Sequence, residues 1–343
     1  MKTLLLPFYL MFLLLLSCEK DNIAIKTIEL DDVTIKCYPN GIKDVYDMFF
    51  ADESTGFVVG HDGMIKKTTD AGITWETLKS GTNVDLNTVA FINKYIGYVG
   101  SDYIRDGNHF NSLIIKTIDG GLSWTIDTIP NVARFTDIWF FNENDGIAYL
   151  MRGDSETVSI TDAVFITNDQ GATWENLNLN VTLNNWTWDR IFVTNNVCDI
   201  IGGDNNNILY QSKDFGKTWI SIQTPATIDG LDFVSNDISY ITDRGKIYKT
   251  ENSGAVWNKI TIPYHVGLFH FFDNMKGINI DYATEIDGDG YKLVGSIIMT
   301  TTDGGLNWKA SATQDIIGGH YSFPSQKMGF CVSDKGFYAI EFK

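Results

Sequence analysis

An octet, Thr/Ser-x-Asp-x-Gly-x-x-Trp, returns along the chain and constrains the fold more than any other feature. Five intact copies read TTDAGITW, TIDGGLSW, TNDQGATW, SKDFGKTW and TTDGGLNW, and a sixth, TENSGAVW, has Asn252 in place of the Asp. The third positions of successive copies are 49, 50, 45, 38 and 51 residues apart. That period fits four short strands with their turns, which make one blade of a β-propeller, and it is too long for a leucine-rich repeat.

Each octet has the composition of a hairpin turn that leads into a strand. Asp accepts backbone N–H groups within the turn, Gly adopts a positive φ, and Trp begins the next strand with a large apolar surface. Six copies on six hairpins cannot share one catalytic site, so we expect a structural role. The residues with this predicted role are Asp70, Trp75, Asp119, Trp124, Asp169, Trp174, Asp214, Trp219, Trp257, Asp303 and Trp308.

A second pattern, an aromatic residue six positions before a small residue, counts the blades. The pairs are Phe50/Gly56, Phe91/Gly97, Phe140/Gly146, Phe192/Cys198, Phe233/Ser239, Phe271/Gly277 and Phe323/Gly329. These seven units predict an all-β, seven-bladed propeller with four-stranded antiparallel blades. The seventh unit has no octet and no room for a fourth strand, so we expect a strand around Ile28 to Cys37 to complete it and close the ring.

The N-terminus predicts export. Residues 1–17 carry a Lys, an apolar run and a small residue, as a signal peptide does. Cys18 follows directly, and the sequence Leu15-Leu16-Ser17-Cys18 resembles the bacterial lipobox, in which the Cys is acylated; an ordinary cleaved signal and an uncleaved anchor are the alternatives. The predicted domains are therefore a lipoprotein signal peptide (1–17), an acylated Cys with a tether (18–26) and the propeller (27–343). The predicted location is the bacterial cell envelope, on the outer membrane, periplasmic or surface-exposed.

Three cysteines remain in the exported part of the chain. An odd number cannot all pair internally, so buried free thiols are the first expectation for Cys37, Cys198 and Cys331. Cys37 and Cys331 both fall in the predicted closing blade, so a bridge between them is the alternative.

The formal net charge of −17 argues against nucleic acid as a partner, since such a surface repels phosphates and no basic patch is visible. The sequence predicts no cofactor and no metal site. The histidines lack metal-ligand spacing. Asp287-Gly-Asp-Gly290 lacks the remaining ligands of a calcium loop, so it indicates a hairpin tip.

The octets resemble the Asp-box, or BNR repeat, of β-propellers. The combination of GYVG at 97 with TIDGGLSW at 117 is most similar to the photosystem II assembly factor family, and more distantly to sortilin-type and sialidase-type propellers. The resemblance covers roughly residues 40 to 343 and implies the propeller fold. Because the same turn occurs in enzymes, receptors and assembly factors, it implies only a general scaffold role. A sialidase-like site would need three Arg and an Arg-Ile-Pro sequence, and the chain has no Arg-Ile-Pro.

Candidate binding residues emerge from counting three positions back from each aromatic. This column contains three Asp and a His, and two Arg lie nearby: the predicted set is Asp47, Asp137, Asp189, His320, Arg134 and Arg190. They are expected to ring one mouth of the central channel and to bind a cationic or polar group. The alternative is that these Asp cap strands and bond to neighbouring blades.

The sequence therefore favours a monomeric, non-enzymatic extracytoplasmic lipoprotein that binds a protein partner as an assembly scaffold, attached to the membrane by a lipid anchor. The alternative is a glycan-binding module or a glycoside hydrolase on the same fold, which would place two carboxylates across a sugar cleft.

Overall fold

The computed structural model describes residues 26–29, 33–38, 42–106, 109–132, 134–153, 160–177, 191–194, 197–202, 207–243, 245–260, 267–287, 290–313, 319–333 and 336–343. The predicted signal peptide and Cys18 lie outside these residues, and so do Asp189 and Arg190. Within the described residues, no helix is long and apolar enough to cross a membrane.

The described residues form seven antiparallel sheets, which confirms the seven-bladed propeller. Six of them have four strands. Listed from the inner to the outer strand, blade 1 consists of Val45–Phe50, Gly56–Gly60, Ile65–Thr68 and Glu76–Leu78. Blade 2 consists of Leu86–Phe91, Gly97–Asp106, His109–Thr117 and Thr125–Pro130. Blade 3 consists of Arg134–Phe140, Gly146–Gly153, Ile160–Thr167 and Glu175–Asn176. Blade 4 consists of Ile191–Thr194, Val197–Gly202, Ile208–Ser212 and Ile220–Gln223. Blade 5 consists of Gly230–Phe233, Ser239–Asp243, Lys246–Thr250 and Asn258–Ile260. Blade 6 consists of Leu268–Phe271, Gly277–Asp287, Gly290–Thr301 and Lys309–Thr313. A short 3₁₀ helix, His61–Gly63, follows the second strand of blade 1.

Blade 7 joins the two ends of the chain. Its inner three strands are His320–Ser322, Met328–Ser333 and Gly336–Phe342, and Val33–Tyr38 pairs with the last of these. The N-terminal segment therefore closes the ring as predicted. It also contributes one strand more than predicted, because Lys26–Glu29 pairs with Val33–Tyr38 and makes this sheet five-stranded.

The aromatic/small pairs are explained by the hairpin between the first two strands of a blade. Phe50 and Gly56 pair across that hairpin, and a Cβ atom on Gly56 would lie 2.5 Å from Cζ of Phe50. The same overlap would occur at Gly97 with Phe91, where the distance is 2.3 Å. The ring covers the glycine, so a larger residue there would displace the ring from the core.

Aromatic stacking links neighbouring blades. Each stack joins a ring on the second strand of one blade to the inner-strand aromatic of the next, with centroid separations of 3.7 to 3.9 Å. The stacked pairs are Phe57/Phe91, Tyr98/Phe140, Tyr240/Phe271 and Phe330/Phe50. Because the last pair joins blade 7 to blade 1, the stacking also supports ring closure.

The octets form the turns between third and outer strands, here called the box turns. In blade 2, Asp119 Oδ1 accepts the Ser123 N–H at 2.9 Å, its Oδ2 accepts the Ser123 hydroxyl, and Thr117 Oγ1 accepts the Gly121 N–H. The residue before the octet glycine also has a positive φ, for instance 60° at Phe215 and 62° at Gln170. This second left-handed residue was not predicted from the octet, and a positive φ is unusual for a side chain as bulky as Phe.

Cys37, Cys198 and Cys331 are buried and form no disulfide among the described residues, as first expected. Cys37 and Cys331 lie on the two strands that flank the strand of Tyr338, and each lies opposite Tyr338 in the sheet. One strand therefore separates the two cysteines. Two strand spacings amount to about 10 Å, beyond the roughly 7 Å that a disulfide spans between Cα atoms. The alternative of a bridge between them is therefore wrong.

Candidate functional site

A cavity of about 420 Å³ opens at the end of the channel where the inner strands begin, and we call this end the cavity face. That volume is within the usual range for ligand pockets, roughly 300 to 1,000 Å³. The lining residues come from blades 1, 2, 3 and 7: Tyr46, Asp47, Asp85, Asn87, Asp102, Arg134, Phe135, Thr136, Asp137 and His320.

Four of the six predicted binding residues line this one cavity. Asp47 lies on the inner strand of blade 1, Arg134 and Asp137 lie on that of blade 3, and His320 begins that of blade 7. The two others, Asp189 and Arg190, fall outside the described residues.

The box turns lie at the opposite end of the molecule. In blades 1, 2, 3, 5 and 6 the box turn packs on the turn that follows the inner strand of the same blade, through bonds such as Gly120 N–H to the Tyr95 carbonyl at 2.8 Å and Ala71 N–H to the Ser54 carbonyl at 3.0 Å. Inner strands begin at the cavity face and end at these turns. The octets therefore cannot contribute side chains to the cavity.

Asp47 connects blades 1 and 2. Its Oδ1 accepts the N–H of Met48 at 2.7 Å, and its Oδ2 accepts the N–H of Val89, on the inner strand of blade 2, at 2.8 Å. Asp232 makes the equivalent connection from blade 5, since it accepts the Phe271 N–H and lies 3.1 Å from Nδ1 of His270. Asp47 therefore makes the kind of bond that the alternative predicted, from a channel Asp to a neighbouring blade. It also lines the cavity.

A hydrogen-bonded cluster extends the cavity face beyond the predicted residues. Asp85 Oδ1 lies 2.9 Å from His61 Nδ1 and accepts the Asp62 N–H at 2.9 Å, and its Oδ2 accepts the Tyr46 hydroxyl at 3.3 Å. The hydrogen bond to Asp85 raises the pKa of His61, helped by the negative charges of Asp62 and Asp85. Burial raises the pKa of Asp85, but the bonds from Asp62 and His61 outweigh burial and the net pKa is lowered.

His61, Asp62 and Asp85 also offer a nitrogen and two carboxylates within 4.8 Å of one another, which is a donor set that a divalent cation can use. All three groups already bond within the cluster, and Asp62 is 78% exposed. The geometry therefore equally fits a surface ion-pair network.

The cavity is electrostatically negative. Its lining includes the carboxylates of Asp47, Asp85 and Asp102 as well as Asp137, against the single guanidinium of Arg134 among the described lining residues. Burial lowers the pKa of His320, so this imidazole is neutral at pH 7 and adds no positive charge. A cationic group entering the cavity would be attracted by this arrangement.

Sequence reasoning missed Asp85, Asp102 and His61. A signal for the first of these exists, because six positions before the inner-strand aromatic the chain has Asp44, Asp85 and Arg134 in blades 1, 2 and 3. His61 lies in the 3₁₀ helix that follows the second strand of blade 1, and Asp102 lies within the second strand of blade 2, where the pairing with the third strand shifts register between Gly100 and Tyr103. No repeat position identifies them.

Comparison with known proteins agrees with this architecture. The family model described as photosynthesis system II assembly factor YCF48 matches residues 122–269. A relative, the photosystem II assembly lipoprotein Ycf48 of Synechococcus sp. (strain CC9902), is 29% identical over 133 residues, which are 38% of this chain and 35% of the relative. The chain resembles the photosystem II assembly factor family. The match spans about a third of the length of that relative.

Several solved structures share the fold of this chain. The structure of YCF48 bound to D1 peptide has a TM-score of 0.63 at 17% identity and covers 93% of this chain and 99% of its own. YCF48 from Cyanidioschyzon merolae gives 0.62 at 17% identity, with the same coverage. A GH74 xyloglucanase from Xanthomonas campestris gives 0.58 at 13% identity, covering 90% of this chain and 53% of its own. At such identities these likenesses show the propeller fold alone.

Proposed function

We propose that this chain is a non-enzymatic assembly propeller that binds a protein partner at the cavity face. The observation that carries the proposal is the cavity itself, which places Asp47, Asp137 and His320 around one opening. The family resemblance supports it, because one of the similar solved structures is of YCF48 bound to D1 peptide.

The chemistry of the cavity indicates the kind of group that it binds. Four lining carboxylates against one guanidinium favour a Lys or Arg side chain of the partner over an acidic one. A volume of about 420 Å³ accommodates a few side chains rather than a folded domain. The partner therefore presents a basic segment. We assign two carboxylates to binding this segment: Asp137, which lines the cavity, and Asp189, which lies outside the described residues.

A peptide probe tests this assignment. A fluorescein-labelled nonapeptide of alternating Lys and Gly is titrated with the protein, and a Glu/Gly peptide serves as the negative probe. Asp137→Asn should weaken binding of the Lys peptide by about tenfold, the value of one charge-assisted hydrogen bond. Asp189→Asn, the second member of the pair, should act in the same direction.

The matched control is Asp127→Asn, which removes the same charge from an exposed position on the outer strand of blade 2. Equal weakening by Asp127→Asn and Asp137→Asn would show that only net charge is sensed. Unchanged binding with a large fall in melting temperature for Asp137→Asn would make this residue a strand cap. Hydrolysis of xyloglucan oligosaccharides by the wild type would favour the glycosidase alternative.

We further propose that the chain is extracytoplasmic and is anchored on the outer membrane through acylated Cys18. The apolar run that ends at Ser17-Cys18 supports this, as does the relative described as a lipoprotein. Three acyl chains, each worth about 0.8 kcal/mol per buried CH₂, are enough for stable anchoring. Cys18→Ala should release the protein into the soluble fraction, whereas continued membrane retention would indicate an uncleaved anchor.

A further inference from the structure

One blade interface departs from the pattern of the others. The residue that follows the small residue on each second strand packs toward the next blade, and in order these residues are Phe57, Tyr98, Ile147, Asp199, Tyr240, Ile278 and Phe330. Six are apolar or aromatic, and four of those stack on the next blade's inner aromatic ring. Asp199 of blade 4 is the exception, at the interface with blade 5.

The residue opposite Asp199 on the third strand is also exceptional. In blades 1, 2 and 5 the partner across the sheet is a Lys whose Nζ lies 5.4 to 5.6 Å from the centre of the paired ring: Lys67 on Phe57, Lys116 on Tyr98 and Lys249 on Tyr240. In blade 4 the partner is Gln211. The aromatic/cation pair is therefore replaced by a carboxyl and an amide.

Asp199 and Gln211 are buried, with exposed fractions of 0% and 4%. Gln211 Nε2 donates to Asp199 Oδ2 at 3.3 Å, while Asp199 Oδ1 and Gln211 Oε1 have no hydrogen-bond partner among the described residues. Two buried acceptor oxygens without donors disfavour an ionised carboxylate. A protonated carboxyl supplies the missing donor and removes the buried charge.

The surroundings of Asp199 add little to offset a negative charge. Lys213, at the start of the box turn, is exposed, and Cys198 beside Asp199 is a buried thiol whose own pKa is raised by burial and by the charges of Asp199 and Asp137. Toward blade 5 the hydrophobic residues include Phe192, Leu209 and Phe233, with Tyr248 and Trp257 beside them. The second strand of blade 5 also carries buried Ser239 and Asp243, and Asp243 forms an ion pair with Lys246. Burial raises the pKa of Asp199 to about 7, against the opposing effects of Gln211 and Lys213.

We propose that the interface between blades 4 and 5 is a proton-dependent seam, in which Asp199 is protonated when the blades are tightly packed and its ionisation loosens them. The seam is the place where the ring of blades opens first as the pH rises. Because the carboxyl titrates higher in the folded chain than its ordinary value of 3.8, the folded form loses relative stability as the pH rises from about 4 to about 7 and none thereafter from this group.

Thermal unfolding of the wild type and of Asp199→Asn from pH 5 to pH 8 tests the seam. Asn keeps the shape of the protonated carboxyl and cannot ionise. We expect the wild-type unfolding equilibrium constant to exceed that of Asp199→Asn by about tenfold or more at pH 8, with the difference shrinking toward pH 5. Asp127→Asn, on an exposed strand, should follow the wild type.

Hydrogen exchange of the wild type locates the effect without any substitution. After correction for the intrinsic rate, raising the pH from 6 to 8 should lower protection in Val197–Gly202 and Gly230–Phe233 and leave Gly97–Asp106 of blade 2 unchanged. The proposal is overturned if protection changes equally in all blades, or if Asp199→Asn keeps the pH dependence of the wild type.

Discussion

The Asp47 carboxylate of blade 1 accepts the backbone N–H of Val89 in blade 2 at 2.8 Å, while it also lines the cavity. Asp47→Ala leaves this donor and that of Met48 without their acceptor, so we expect a loss of about 1 to 3 kcal/mol in the free energy of unfolding. Urea denaturation measures this loss, with exposed Asp127→Ala as the control. If the two variants were equally stable, the hydrogen bond between Asp47 and Val89 would not stabilise the contact between blades 1 and 2.

The box turn of blade 2 should stabilise the fold without contributing to binding. Hydrogen bonds from the side chain and the backbone N–H of Ser123 lower the pKa of Asp119 to about 2. Asp119→Ala should therefore lower the melting temperature at pH 7 and leave binding of the Lys/Gly peptide unchanged. Leu122→Ala, in the same turn but 82% exposed, is the control. A variant with normal melting that no longer binds would place function in the octets.

Closure by the N-terminal strand predicts a large effect far from the cavity. Ile35, on the fourth strand of blade 7, is fully buried in a cluster that includes Ile298 of blade 6, and its backbone pairs with Ile340. Ile35→Ala should cost about 3 kcal/mol, typical of a buried Ile-to-Ala change. Thr27→Ala, an exposed position on the outermost strand, should cost little. Similar denaturation curves for both variants would argue against closure by this segment.

His61 on the cavity face should titrate above its ordinary value of 6.5, because Asp85 bonds to it. A raised folded pKa means that the ion pair stabilises the fold fully below 6.5, and that this contribution disappears as the pH rises through the folded pKa. Proton NMR of the imidazoles should show the shift, with His61→Gln to assign the signal. Asp85→Asn should bring the pKa down; a His61 pKa unaffected by Asp85→Asn would contradict the pairing.

The fold could be predicted from sequence because the same physical constraint recurs in every blade. Phe50 must cover Gly56, and Asp119 must bond within its own turn, so each unit carries the same residues at the same spacing. The fifth strand of blade 7 was not predicted, because apolar and polar residues alternate from Lys26 to Tyr38 and this alternation also fits one longer strand. In the structure, Lys26–Glu29 is a separate strand that pairs with Val33–Tyr38.

The cavity was predicted less completely than the fold. Counting along the inner strands located Asp47, Asp137 and His320, since strand positions keep their register across blades. His61 lies in a 3₁₀ helix between two strands, and Asp102 lies where the pairing of the second and third strands of blade 2 shifts register, so no repeat position fixes them. The burial of Asp199 results from packing between two sheets, and the pattern of residues along one strand does not predict that packing.

Site-specific photocrosslinking in the native cell tests the central claim most directly. A photoreactive amino acid replaces Thr136 or Asn87, both in the cavity lining, or Leu122 or Leu306, both exposed on box turns. We expect one discrete cross-linked protein from the two cavity positions and none from the two box-turn positions. Cross-links that form at the box turns and not at the cavity would contradict it.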